Sequence, residues 1–285
     1  MSLASSTAMY VAAVICSVFA ALLNARLLIR FFLYRGREKT HFSLLFRAIF
    51  LYIFFNISSI SYATLCLTGS FTTKWNPAAV FWSGNATFSS AFAIVASNCC
   101  ISFDRIVAMR RPIAYSLRYF RFCQAVSMAF MLLCFLAAFV RHSTGFSDPH
   151  GPLPAFSVVM DLTVLREVAL VKTIVCCVNV ALTVVFMAET RRFLKHLQNT
   201  HIHRNITSAN HIVMLQVAAE ALLMILPDVI VLPLSFVGIS LPTLLGPFMV
   251  PLCSAYTLVC ALLMTFKLRS NTVSPAVSSS ARNVS

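Results

Sequence analysis

Residues 97–115 read SNCCISFDRIVAMRRPIAY: an apolar run, then Asp104 and Arg105 side by side, then two more arginines before Pro112 and Tyr115. Elsewhere the chain avoids charge. Only 11% of its 285 residues are charged and 59% are hydrophobic, with 25 Phe, whereas a soluble domain carries about 25% charged residues. Such a chain cannot cover a water-facing surface, so it reads as an all-α integral membrane protein. The quoted stretch then marks where a helix passes from hydrocarbon into water. A net charge of +14 does not point to nucleic acid, because Lys and Arg of membrane proteins collect in cytosolic loops. With 7 Gly and no Gly-rich phosphate loop, a nucleotide enzyme is disfavoured as well.

A crossing helix needs about 20 mostly apolar residues. Working outward from the opening stretch, seven such segments can be drawn, at about 9–33, 44–67, 84–109, 124–140, 167–189, 211–236 and 244–266. Together they make residues 1–266 one seven-helix domain. The fourth is short unless it takes in residues before Phe122. The last pair is separated by GISLPT, residues 238–243, which suits a tight hairpin. Residues 267–285 read as a short disordered cytosolic tail, with Thr272, Ser274, Ser278, Ser279 and Ser280 as phosphorylation candidates. The first segment is too long, and lacks the basic head, for a cleaved signal peptide.

The basic residues set an orientation. With the N-terminus outside, 17 of the 22 Lys and Arg fall in inner loops and their flanks. Four fall outside (Lys74, Arg141, Arg166 and Lys172), and Arg26 lies within the first helix. The alternation follows the positive-inside rule and predicts an extracellular N-terminus and a cytosolic C-terminus.

Asp104, Arg105, Val107, Ala108, Pro112 and Tyr115 together spell D-R-x-V-A-x-x-x-P-x-x-Y. This stretch resembles the junction between the third helix and second cytosolic loop of rhodopsin-type G-protein-coupled receptors. The resemblance implies a heterotrimeric G protein as partner. Asp104 would be the resting partner of Arg105, Arg105 would meet the G protein, and Pro112 and Tyr115 would shape the loop. A guanidinium stays charged throughout, so such a switch works by exchanging partners and not by protonation. Other signatures of that family are partial. Pro227 stands for the kink proline of the sixth helix, with Ile225 at the toggle Trp position. Pro251 and Tyr256 stand five apart on the seventh helix, where the family has three, with Pro251 as a kink and Tyr256 as the switch tyrosine. The second helix offers Asn56 and no Asp. None of the ten cysteines lies in 141–166 or at the outer end of the third helix, so the family's disulfide cannot form. Missing bridge, missing Trp, short termini and Phe- and Cys-rich spans are together similar to the nematode serpentine chemoreceptors, with an olfactory-like receptor as the near alternative.

Charges within hydrocarbon are functional candidates by default. Asp228, next to Pro227, reads either as a ligand contact in an outer cavity or as the structural partner of Lys172. Lys172 lies near the outer end of the fifth helix, and Glu220 lies deeper, with Gln216 as a possible partner. The many Phe predict a mostly apolar pocket with few polar anchors and a small-molecule ligand. No cofactor is implied and no metal site, since His196, His201, His203 and His211 have no Cys or acid cluster nearby. No Lys lies in 244–266, which disfavours an opsin, and no catalytic pair sits at matching depth, which disfavours an intramembrane protease. Among N-x-S/T sequons, Asn85 is the outward-facing candidate. The expected protein is a non-enzymatic chemosensory receptor in the plasma membrane, the sensory cilium included. A non-signalling transporter or channel subunit is the competing reading, and it calls for polar groups from several helices converging at one depth.

Overall fold

A computed structural model describes residues 3–33, 43–72, 75–110, 117–149, 151, 153–196, 215–237 and 247–271. Seven helical segments run through it. These are α1 (Leu3–Leu33), α2 (Ser43–Phe71), α3 (Pro77–Arg110), α4 (Leu117–Ser143), α5 (Leu162–His196), α6 (215–236) and α7 (Met249–Asn271). Six of them are long and apolar enough to cross a membrane. The remaining one, α6, is broken by a π-turn at Ala221–Ile225. No strand occurs among the described residues beyond one isolated bridge, Phe146 to Met160.

The helices outrun their apolar segments. At about 1.5 Å per residue, the 34 residues of α3 extend about 50 Å, well beyond a hydrocarbon core of about 30 Å. The fourth helix starts at Leu117, not 124, because backbone hydrogen bonding continues through the basic, aromatic run before Phe122.

The surface is apolar and the interior holds the polar groups. Phe19, Leu22, Phe50 and Leu133 are each more than half exposed, whereas Ser17, Asn24, Asn56, Ser89, Asn179 and Ser254 are buried. Lipid is as apolar as Leu, so helix association there relies on close packing of small residues and on interhelical hydrogen bonds. The central helix α3 packs against α2, α4 and α5 and presents buried Ser89, Ser90, Ala91, Ala93, Ala96 and Ser97 to them. On the other side, Ser17 of α1 donates to Ser254 of α7 at 2.8 Å and lies 3.0 Å from Ser59 of α2. Thr257 of α7 donates to Asn56 of α2 at 3.1 Å. Asn56 therefore ties two helices together.

Two irregular prolines mark α6. Pro227 has no N–H for the carbonyl four residues back, and its ring would clash with that carbonyl. Widening the preceding turn to π geometry relieves the conflict, and the π-turn ends two residues before Pro227. Pro233 is a second interior proline. Pro251 behaves differently from the kink expected of it. It sits in the first turn of α7, where a missing N–H has no helical partner to lose.

Candidate functional site

Between α4 and α5 the chain folds back over one end of the bundle. Ser147 N donates to Val159 O at 3.1 Å, and Asp161 N to Gly145 O at 2.8 Å. The hairpin pushes Phe156 inward until it is 1% exposed. Its ring stacks on Phe88 and Phe81, with centroids 4.9 and 5.7 Å away, and meets the edge of His142 at 5.5 Å. The approach requires glycine on α3, since a Cβ at Gly84 would lie 2.5 Å from the Phe156 ring. Two phenols fasten the same loop: Tyr10 donates to Pro154 O, and Phe156 N donates to the Tyr62 oxygen, both at 2.9 Å. All ten cysteines are free. Aromatic insertion and hydrogen bonds therefore hold this loop where the resembling receptors use a disulfide.

Under the hairpin lies a cavity of about 280 Å³, lined by residues of all seven helices, His142 of α4 included, as well as the loop. Its wall is mainly aromatic and aliphatic, including Phe88, Phe92, Val168 and Val250. Lys172 and Asp228 both line it, with Lys172 Nζ 2.7 Å from Asp228 Oδ2 and both side chains largely buried. The ion pair joins α5 to α6 about 15 Å, at 1.5 Å per residue, from the start of α5. The structure thus brings the two together within one cavity wall. Ser6 Oγ, which also lines the cavity, is buried and has no hydrogen-bond partner among the described residues.

Deeper in the bundle a polar network crosses five helices. Tyr52 of α2 donates to Asn98 Oδ1 at 3.3 Å, and Asn98 Nδ2 donates to Tyr256 of α7 at 2.7 Å. The Tyr52 and Tyr256 rings meet edge to face at 6.4 Å. Asn98 also lies beside Glu220 of α6. Glu220 accepts from Asn179 of α5 at 2.7 Å, and Ser102 of α3 donates to Asn179 at 3.1 Å. The partner found for Glu220 is Asn179, not Gln216. Sequence reading overlooked Asn98, although an amide within the apolar run of the opening stretch was a signal for it.

At the far end of α3, Asp104 is buried and Arg105 exposed. Successive helical positions lie about 100° apart, which turns one inward and the other outward. No described ion pair joins them. The ion pair seen there links α3 to α5 instead: Arg110 reaches Glu189 Oε1 through Nε at 3.1 Å and Nη2 at 2.6 Å, and Arg192 lies 3.6 Å from the same oxygen. Neither Arg110 nor Glu189 stood out in the sequence, since a base and an acid 79 residues apart carry no spacing signal. Pro112, Tyr115 and the histidines at 201, 203 and 211 lie outside the described residues. Asn85 is fully buried and donates to Phe139 O at 3.0 Å, so its sequon is inaccessible to a glycan in this fold. Among the described residues, no three of His, Cys, Asp or Glu gather at a metal-sized site.

A family model described as serpentine type 7TM GPCR chemoreceptor Srbc matches residues 1–144, half of the chain, from α1 through α4. The chain belongs to this family. Comparison with curated proteins gives no match. The serpentine chemoreceptor assignment makes the protein a seven-transmembrane receptor and places it outside enzyme families. The matched half holds the Asp104–Tyr115 stretch. Lys172, Asp228, Glu220 and Tyr256 lie beyond it, and their grouping comes from the fold.

Proposed function

We propose that this serpentine chemoreceptor binds a small molecule in the cavity under the 144–161 hairpin. On binding it activates a heterotrimeric G protein at the Arg105 end of α3. It does so in the plasma membrane, with the N-terminus and the hairpin outside and the C-terminal tail in the cytosol. One observation carries the reading. Helix α6 bears a cavity residue, Asp228, and a network residue, Glu220, on either side of the π-turn and Pro227. A weakly hydrogen-bonded turn is where a helix bends at least cost. A ligand that draws on Lys172 or Asp228 shifts α6 against α5 above that turn. The Glu220–Asn179 bond and the Asn98–Tyr256 bond then re-pair below it. Movement of α5 against α3 opens the Arg110–Glu189 pair, and Arg105, exposed already, meets the G protein together with Pro112 and Tyr115.

The test is nucleotide exchange on purified G-protein α subunits by the reconstituted receptor. The native receptor should show exchange above lipid alone. Arg105→Ala should remove it, with unchanged thermal unfolding of the receptor. Exchange unaffected by Arg105→Ala would sink the coupling role.

A further inference from the structure

The chemistry of the cavity wall narrows what can occupy it. Lys172 and Asp228 neutralise one another at 2.7 Å, so the wall carries no net charge at the pair. A charged ligand would leave an uncompensated ion in a buried site, which is costly unless it is paired. An ammonium has three donors, and Asp228 takes one direction of the three. Tyr10 and Tyr62 are engaged with the hairpin backbone. Lys172 therefore has hydrogen-bond donation to offer an occupant, in a mainly apolar surround. The volume of about 280 Å³ lies at the small end of the roughly 300–1,000 Å³ usual for ligand pockets, which suits a small molecule.

Resting on the cavity as the ligand site, we propose that the cavity takes an uncharged, mainly apolar small molecule whose carbonyl oxygen accepts from Lys172. Asp228 keeps the ammonium oriented. The ketone, ester or aldehyde oxygen is the chemistry recognised. An alkane of the same size forfeits the bond to Lys172, and an ion of either sign meets the neutral pair as an unpaired charge.

The probes are four molecules of nearly one size: cyclohexyl ethyl ketone, butylcyclohexane, the 3-cyclohexylpropylammonium cation and 3-cyclohexylpropanoate. The readout is the thermal unfolding midpoint of the purified full-length receptor as a function of probe concentration, since a ligand of the folded state raises it by mass action. The ketone should act at concentrations roughly tenfold below the alkane, as a hydrogen bond to a charged donor implies, and the two ions should have no effect over that range. In the double variant Lys172→Met/Asp228→Leu, which removes both charges and leaves none unpaired, ketone and alkane should act alike. Equal action of ketone and alkane on the native receptor overturns the proposed ligand class, as does tighter binding of either ion or a ketone preference that survives the double variant. Failure of all four probes on folded native receptor removes the cavity as a ligand site, and the functional reading with it. The native comparison is decisive by itself, whichever variants fold.

Discussion

At the scale of single residues, a hydrogen atom at position 84 decides where an aromatic ring goes. Phe156 fills the space that any side chain at Gly84 would claim. The Gly84→Ala receptor must shift the ring or the helix, and overpacking of this kind costs about 1–3 kcal/mol. Its thermal unfolding midpoint should fall measurably, and a midpoint equal to the native one would show that the plug is loose. Arg105 poses a different question, because it is exposed and its value lies in a partner. Arg105→Ala should lose nucleotide exchange while ligand stabilisation persists, since the cavity lies at the opposite end of the bundle. Arg105→Lys should restore little, because a compact ammonium lacks the planar fork. A fully active lysine variant would reduce Arg105 to a topology anchor.

At the scale of elements, α6 is the helix with a built-in defect. Pro227→Ala restores the missing N–H, removes the ring clash and allows the π-turn to close, and interior proline costs a helix about 3 kcal/mol. The variant should unfold at a higher temperature and signal less on ligand. Higher signalling from the straightened helix would contradict a hinge at this place. Helices α3 and α5 are joined at the Arg105 end by Arg110 and Glu189. Arg110 is 56% exposed and Glu189 17%, so the pair is worth only about 0.2–1 kcal/mol. Glu189→Gln should accordingly raise basal nucleotide exchange by at most about fivefold. Unchanged or lower basal exchange would remove this pair as a latch between the helices.

For the whole molecule, the decisive quantity is which face of the membrane each end occupies. Tags fused before Ser2 and after Ser285 should be reached from outside and inside respectively, in intact and permeabilised cells. Both tags on one face would end the seven-span receptor reading, since an odd number of crossings separates the termini. That orientation would put the hairpin and its cavity on the outer side and the Arg110–Glu189 pair on the cytosolic side.

Span number and membrane residence were legible in the sequence, because lipid imposes a one-dimensional rule: about 20 apolar residues for each crossing. The Asp104–Tyr115 pattern could be picked out for a similar reason, being contiguous at a helix end, and its coupling role stands as a proposal. Pro227 could be read in sequence, whereas its π-turn could not, since that depends on how α6 relieves the clash while packed on α5 and α7. Pro251 was misread as a kink because the start of α7 is set by where helical hydrogen bonding begins. Lys172 and Asp228 were each visible as buried charges, 56 residues apart in the chain, and the choice between ion pair and cavity lining was open. The fold makes them both at once. The Tyr52–Asn98–Tyr256 network, the Phe156 plug and the Arg110–Glu189 pair were decided by tertiary structure alone. Each depends on groups far apart in sequence meeting within about 3 Å, a distance that helix packing sets and hydropathy does not encode.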